Sequence, residues 1–125
     1  MKKIILDTNF LLIPAQFRVD IFTEIQRVAD FKYQLCILDK TLIELKKIHQ
    51  EQRGKYKAAV KLALDLIKKK KPKVIKTTSE KYVDDLLVEQ SKKGAVIATQ
   101  DIGLKRRLKK PIITLRQKKR LVLIN

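Results

Sequence analysis

The chain has 125 residues, which is enough for one domain and too few for two ordinary ones. Its apolar runs are too short for a transmembrane helix, and Asp7 interrupts the apolar core that a signal peptide needs. The single cysteine, Cys36, excludes an internal disulfide and a cysteine-based zinc site. The single histidine, His49, argues against a histidine metal cluster and a Ser-His-Asp triad. We therefore expect one cytoplasmic domain over residues 1–125.

The charge of the chain is strongly positive, because 30 lysines and arginines stand against 13 acids and give a net charge of +17. Basic residues bind phosphates and release counterions, so this charge favours a nucleic-acid partner. The alternative is a lysine-rich surface that only keeps the protein in solution. An anionic membrane ranks third, because no segment joins a basic face to a broad apolar face.

Apolar runs and helical periodicity predict strands that alternate with helices. In chain order, the pattern predicts strand 1–6, helix 19–29, strand 35–38, helices 41–49 and 55–71, strand 74–75, helix 77–93, strand 95–98, helix 104–109, and strands 112–115 and 121–124. Pro72 ends the long basic helix, and Gly94 closes the helix before the fourth strand. Short, uninterrupted apolar strands between helices are typical of a parallel sheet covered on both faces. The predicted fold is a three-layer α/β domain.

Four acids lie beside the predicted strands of this otherwise basic chain. Asp7 directly follows the first strand, and Asp101 follows the fourth. Glu44 lies one helical turn after the second strand, and Asp84 lies on the helix before the fourth. Ligands of open parallel sheets bind at the carboxyl ends of the strands, which is where Asp7 and Asp101 belong.

A group of carboxylates without histidine or cysteine predicts a particular kind of metal site. Converging carboxylates repel one another unless a cation lies between them. Hard oxygen ligands suit Mg²⁺ or Mn²⁺, which retain waters and bind substrate phosphates. Such an ion activates water for attack on phosphorus, and a second ion about 4 Å away can stabilise the leaving oxygen. The acids therefore indicate phosphodiester hydrolysis, on the class of polyanion that the basic surface would hold.

Some of these acids also have a purely structural interpretation. Asp7-Thr8-Asn9 is compatible with an Asx-turn, and Thr41-x-x-Glu44 matches a helix capping box. A helical wheel does not place Glu44 on the apolar side of its helix. Asp101 fits the N-cap of the next helix, a role that is compatible with metal binding. On the wheel Asp84 lies at the margin of its helix's apolar side and is expected to face the site, whereas Asp85 points away, toward water.

Four segments share the order and spacing of a known family. They are residues 4–6 with Asp7-Thr8-Asn9, Leu42-x-Glu44-Leu45, Val83-Asp84-Asp85-Leu86-Leu87, and Ile97-Ala98-Thr99-Gln100-Asp101. The opening Asp-Thr-Asn and the later Ala-Thr-x-Asp are the most specific pieces. With them the chain resembles a PIN-domain nuclease over essentially its whole length, and the basic stretch 101–108 is similar to that of archaeal and eukaryotic members.

The resemblance implies a three-layer α/β/α fold with a central, mainly parallel sheet, and a divalent-metal-dependent endonuclease that usually acts on RNA. With Mg²⁺ or Mn²⁺ as cofactor, the implied metal ligands and catalytic residues are Asp7, Glu44, Asp84 and Asp101. The implied supporting residues are Asn9 and Thr99, while Asp85 duplicates the position of the third acid. Many members carry a further acid shortly after the fourth, where this chain has Ile102 and Gly103, so the ligands for a second ion are fewer.

Basic residues crowd the last 25 positions, directly after the fourth acid. The residues that we expect to guide phosphates toward the metal site are Lys105, Arg106, Arg107, Arg116, Lys118, Lys119 and Arg120. The three tyrosines and four phenylalanines are expected to lie mostly in the core. We therefore expect recognition of the RNA backbone and shape more than of its bases.

The resemblance implies two biological roles and leaves alternatives open. One role is the processing of ribosomal or other RNA, with a ribosome-assembly partner. The other is the toxin of a toxin–antitoxin pair, with an antitoxin partner. The opening Asp-Thr-Asn-Phe and the basic Leu-Lys-Arg-Arg-Leu favour the first role and an archaeal stand-alone PIN protein. A homodimer rests on the resemblance alone, a non-catalytic RNA-binding PIN domain is a rival, and a DNA-binding module ranks last because no helix-turn-helix or zinc finger is present.

Overall fold

A sheet of six strands runs through the middle of the molecule. The computed structural model describes residues 1–78 and 80–125. The strands are β1 (Lys2–Leu6), β2 (Tyr33–Leu38), β3 (Lys73–Ile75), β4 (Val96–Ala98), β5 (Ile112–Arg116) and β6 (Arg120–Ile124). They lie in the order β3-β2-β1-β4-β5-β6; the first five are parallel, and β6 is antiparallel to β5. The predicted central, mainly parallel sheet is confirmed.

Helices cover both faces of the sheet. A 3₁₀ turn (Asn9–Leu12) precedes α1 (Ile13–Phe17), α2 (Ile21–Val28), α3 (Asp39–Glu51), α4 (Gly54–Lys70), α5 (Val83–Lys92) and α6 (Ile102–Arg107). Because strand residues alternate between faces, Ile4 and Leu6 pack in one core with α1 to α4, and Ile5 packs in a second core with α5 and α6. The three-layer α/β/α architecture is therefore confirmed. Within the described residues, none of these helices is long and apolar enough to cross a membrane.

The helix predicted over 77–93 is shorter than expected and begins at Val83. Thr77 is instead tied to the start of α3, because its N–H and hydroxyl donate to the Asp39 carboxylate at 3.0 and 2.7 Å. These hydrogen bonds hold the pKa of Asp39 below its usual range. Ser79, within the predicted helix, lies outside the described residues. At the other end the prediction is confirmed: Gly94, at φ +102°, follows the helix in a conformation that favours glycine.

Helix α3 also begins earlier than predicted, at Asp39 and not near Thr41. Thr41 is fully buried inside the first turns of the helix and does not precede it. The capping-box interpretation of Thr41 and Glu44 is therefore wrong, because a capping residue must stand before the first helical residue.

Side chains of α2 cover part of the exposed edge of β6. The N–H of Leu121 donates to Glu24 Oε1 at 3.0 Å, and Arg27 Nη2 donates to the Leu121 carbonyl at 2.7 Å. Glu24 and Arg27 also pair with each other at 2.9 Å, and the pKa of Glu24 is lowered by this guanidinium. The outward backbone groups of Leu121 are thus satisfied without a further strand.

Candidate active site

Two neighbouring strands bring the first and fourth acids to the same edge of the sheet. β1 and β4 pair with Leu6 beside Ala98, and the Asp7 N–H donates to the Ala98 carbonyl at 2.9 Å. Asp7 therefore leaves its strand next to the point where β4 turns toward Asp101.

The other two acids reach this edge from helices. Glu44 lies on α3, which follows β2, and Asp84 lies in the first turn of α5, which leads into β4. Asp7, Glu44, Asp84 and Asp101 all line one cleft of about 210 Å³. Of these, Asp7 is buried, whereas the other three are exposed. The lining residues among the described positions include no lysine or arginine.

Thr99 joins the two strand-end acids through its hydroxyl. Thr99 Oγ1 donates to Asp7 Oδ2 at 2.7 Å and accepts from the Asp101 N–H at 3.1 Å. Asp101 Oδ1 in turn accepts from the Leu104 N–H at 2.9 Å, so Asp101 caps α6 as predicted. Gly103 leaves room for this carboxylate, because a Cβ there would lie 3.3 Å from Asp101 Oδ1.

Replacing Thr99 by Val should weaken both the fold and the candidate site. Valine preserves the shape but leaves Asp7 Oδ2 without its donor and the Asp101 N–H without its acceptor. We expect the free energy of unfolding to fall by about 1–3 kcal/mol in urea titrations and the affinity for Mn²⁺ to fall by about 10–100-fold in thermal-shift titrations. Thr99→Ser, which retains the hydroxyl, is the control, and equal losses in both variants would show that the methyl group is responsible.

Burial dominates the electrostatics of Asp7, which is 6% exposed. Desolvation raises the pKa of this carboxyl, and the carboxylates of Asp84 and Asp101 raise it further. The hydrogen bonds from Thr99 and from the Thr8 N–H, at 2.8 Å, oppose this rise in pKa by favouring the charged form. A cation bound in the cleft would therefore stabilise the charged form of Asp7.

Glu44 contacts the loop that carries Asp7. Thr8 Oγ1 lies 3.5 Å from Glu44 Oε2 and 3.5 Å from Thr41 Oγ1. These long contacts connect the β1 end with α3, so Glu44 faces the cleft although it is not on the apolar side of its helix.

The two consecutive acids of α5 have different surroundings. Asp84 lines the cleft beside Asp7, the direction that the helical wheel predicts. Asp85 is half-buried and accepts a hydrogen bond from Arg107 Nη2 at 2.5 Å. The expectation that Asp85 faces water is therefore incomplete, because an arginine from α6 covers its carboxylate.

The donor chemistry of the cleft fits a hard divalent cation. Four carboxylates face it, and Asn9, which also lines it, has a buried Oδ1 without a hydrogen-bond partner among the described residues. A buried acceptor of this kind requires a donor, such as a water held by an ion. In the described part of the chain, however, no three His, Cys, Asp or Glu side chains are grouped closely enough to hold an ion as they stand. The fit thus rests on the donor types, and the exposed carboxylates would have to close on the ion.

The three predicted basic residues of α6 differ in their contacts. Arg107 lines a hollow next to it and pairs with Asp85. Lys105 Nζ donates to Thr114 Oγ1 at 3.3 Å, whereas the Arg106 side chain is exposed.

The other predicted basic residues form a hairpin between β5 and β6, at the edge of the sheet where the acids lie. Gln117 and Lys118 have φ values of +54° and +57°, and the Lys119 N–H donates to the Arg116 carbonyl at 3.1 Å. The turn thus places two residues other than glycine in the left-handed conformation that favours glycine. Arg116 also stands directly opposite Arg120, a like-charged cross-strand pair. The hairpin thus concentrates positive charge at the expense of its own stability.

Two tyrosines at the cleft were not expected from the sequence. Tyr56, in the first turn of α4, lines the cleft and is 43% exposed. Tyr82, directly before α5, lines the neighbouring hollow and is 83% exposed. The sequence carries no periodic signal that separates them from the aromatic residues of the core.

Comparisons with known proteins agree on one family. The model of the PIN-like domain family matches residues 4–118. Ribonuclease VapC4 of Methanocaldococcus jannaschii is 33% identical over 126 residues, covering 95% of this chain and 94% of that protein. The rRNA-processing protein FCF1 of Saccharomyces cerevisiae is 34% identical over 110 residues, which are 86% of this chain but 54% of FCF1. The chain thus spans about half the length of its FCF1 relatives.

Solved structures give the same result. The PIN domain endonuclease Utp24 superposes with a TM-score of 0.75 at 25% identity, over 97% of this chain and 90% of that one. VapBC2 from Rickettsia felis, solved with a DNA fragment from its promoter, contains a chain that matches with a TM-score of 0.61 at 16% identity, over 90% of this chain and 98% of that one. The second likeness concerns the fold alone.

Proposed function

This chain belongs to the family of PIN-like domains, and from that premise we propose that it is a divalent-metal-dependent endoribonuclease. The observation that carries the proposal is the cleft at the carboxyl edge of the sheet. Four elements each bring one carboxylate to it, and no lysine or arginine is among the described residues that line it. PIN nucleases generally use divalent metal ions, and the carboxylate donors suit Mg²⁺ or Mn²⁺.

In this proposal, Asp7, Glu44, Asp84 and Asp101 hold the ion. When bound, the ion supplies Lewis-acid activation of the scissile phosphodiester and of the attacking water. Asp7 is the fixed member of the set, because burial and two hydrogen bonds restrain its carboxylate. The three exposed acids would close on the ion when it binds.

Supporting residues keep the strand-end acids in place. Thr99 holds the carboxylate of Asp7 and the backbone of Asp101 in register, so the two acids move together. Asn9 offers its buried Oδ1 as an acceptor for a water in the cleft. Asp85 holds Arg107 at the rim and is not a further ligand.

RNA phosphates on either side of the cleft would contact the basic residues. The set consists of Lys105, Arg106 and Arg107 on α6 and of Arg116, Lys118, Lys119 and Arg120 on the hairpin. The charge concentrated in the strained hairpin supports this assignment. Because phosphate contacts release counterions, binding should weaken steeply as salt rises.

Cleavage of a labelled, structured RNA with Mg²⁺ or Mn²⁺, with and without EDTA, tests the proposal. Asp84→Asn and Asp85→Asn form a matched pair, because they make the same chemical change at adjacent positions. We expect EDTA to abolish cleavage, Asp84→Asn to lower its rate by about 100-fold, and Asp85→Asn to lower it by less than about tenfold. RNA binding without cleavage in either metal would instead favour a non-catalytic RNA-binding domain.

For the biological role, RNA processing is the leading candidate, since several FCF1 relatives are named for rRNA processing. The toxin of a toxin–antitoxin pair is the second, because the match to VapC4 covers almost the whole of both chains. Expression of the wild-type chain beside Asp7→Asn in bacteria separates the two. Growth arrest by the wild type alone would favour the toxin. The homodimer stays a prediction.

A further inference from the structure

Most aromatic side chains of this protein serve the core. The buried or half-buried ones that pack there are Phe10, Phe17, Phe22, Phe31 and Tyr33. Tyr56 and Tyr82 are the aromatic residues among the exposed large side chains of the described chain. Exposed aromatic rings that lie close to one another are typical of a surface that a ligand covers.

Both exposed rings lie on one continuous hollow. The cleft that contains Tyr56 and the adjoining hollow that contains Tyr82 share Glu44, Val83 and Asp84 as lining residues. Tyr56 lines the cleft together with Asp7, and Tyr82 lines the adjoining hollow together with Arg107 of α6. A strand that occupies both hollows would contact both rings and Asp84.

Resting on the proposed function, we propose that Tyr56 and Tyr82 stack on bases of the RNA strand that is bound at the cleft and at the adjoining hollow. Every nucleobase offers a flat π-face, so stacking gives affinity with little sequence preference. In a duplex these faces are covered by neighbouring base pairs, whereas unpaired bases can be splayed onto aromatic rings. The protein would therefore recognise the faces of the bases in addition to the backbone and shape of the RNA, which the sequence predicts.

Arg107 adds a phosphate contact at the same place. It lines the hollow with Tyr82, and its guanidinium is fixed by Asp85 at 2.5 Å. A nucleotide whose base stacks on Tyr82 can therefore place a phosphate near a positioned cation. Stacking on Tyr82 and a phosphate contact with Arg107 would thus involve one strand of the RNA.

The test measures binding separately from cleavage. In an Asp7→Asn background, anisotropy titrations with Mg²⁺ compare a labelled single-stranded RNA with a blunt duplex of the same sequence. We expect Tyr82→Leu and Tyr56→Leu each to lower the affinity for the single strand by about 5–100-fold and to leave the duplex affinity unchanged. Tyr82→Phe and Tyr56→Phe, which retain the ring, should bind as the parent does.

Three outcomes would overturn the inference. The leucine variants could bind the single strand as tightly as the parent, or lose affinity for strand and duplex equally. The phenylalanine variants could lose as much as the leucine variants, which would assign the effect to the hydroxyl. Cleavage by the protein with an intact Asp7 is scored in parallel. Ring-dependent binding without any cleavage would reject the proposed function and retain the stacking.

Discussion

Replacing Asp7 by Asn should reduce metal-dependent RNA cleavage by about 100-fold or more and at the same time stabilise the metal-free protein. The loss of activity follows because the buried ligand of the proposed ion loses its charge, and transition-state stabilisation by an ion amounts to several kcal/mol. The gain in stability follows because burial and two neighbouring carboxylates already raise the pKa of Asp7. Single-turnover cleavage and thermal unfolding in EDTA measure the two effects.

The stability difference should depend on pH in a defined direction. The folded state binds the Asp7 proton more tightly than the unfolded chain does, so the ionised carboxyl destabilises the fold above its raised pKa. As the pH falls through that raised pKa toward 3.8, the destabilisation disappears and the two proteins should converge. Mn²⁺ should raise the melting temperature of the wild type and not that of the variant.

Asp30→Asn is the control for this experiment. Asp30 is exposed and precedes β2, at the edge of the sheet opposite the cleft. It should leave cleavage, the metal-induced stabilisation and the pH dependence unchanged. An Asp7→Asn protein that keeps more than about a tenth of the cleavage rate would remove Asp7 from the metal site.

Replacing Phe10 by Ala should lower the free energy of unfolding by about 3–5 kcal/mol. Phe10 is fully buried and lies in the 3₁₀ turn directly after Asp7-Thr8-Asn9, where it packs in the core with α4. Its removal would leave a cavity among the core residues that surround it. A domain with about 5–15 kcal/mol of stability would then be close to unfolding.

The 3₁₀ turn that contains Phe10 also fixes the path of the chain next to Asp7. The Leu11 N–H donates to the Asp7 and Thr8 carbonyls at 3.3 and 3.2 Å, so the turn and the candidate ligand share hydrogen bonds. Urea unfolding at pH 7 measures the effect, and Phe17→Ala, a half-buried ring at the end of α1, should lose much less. Equal losses in the two variants would show that the turn tolerates repacking.

The strands could be predicted because a short, uninterrupted apolar run between helical segments is typical of a strand that is buried on both faces. The acids after β1 and β4 could be placed for a related reason: parallel strands end at a shared edge, so Asp7 and Asp101 had to meet there. The helix over 77–93 could not be predicted correctly, because Asp39, 38 residues earlier, captures Thr77. The sequence around Thr77 alone does not reveal a contact with a residue so far away in the chain.

The same limit applies to the surroundings of the acids. The helical wheel separates Asp84 from Asp85 but cannot show that Arg107 pairs with Asp85. A wheel describes one helix, whereas this pair joins α5 to α6, which β4 separates in the sequence. The exposure of Tyr56 and Tyr82 likewise depends on which elements of the fold pack against them. Because tyrosine is often largely buried, the residue type alone does not predict that these two are exposed.

The two outer strands of the sheet, β6 and β3, differ in how well they are protected. The side chains of Glu24 and Arg27, which belong to α2, cover part of β6. An incoming strand at that edge would have to break an ion pair and two hydrogen bonds to Leu121 before forming any of its own. At the other edge, β3 is three residues long and begins with a lysine. A fibre in which sheets of successive copies pair edge to edge needs two outer strands that can each pair with another copy. In this molecule one outer strand is partly covered and the other is short. A concentrated solution of the protein should therefore resist fibrous self-association even though the strands are mostly apolar.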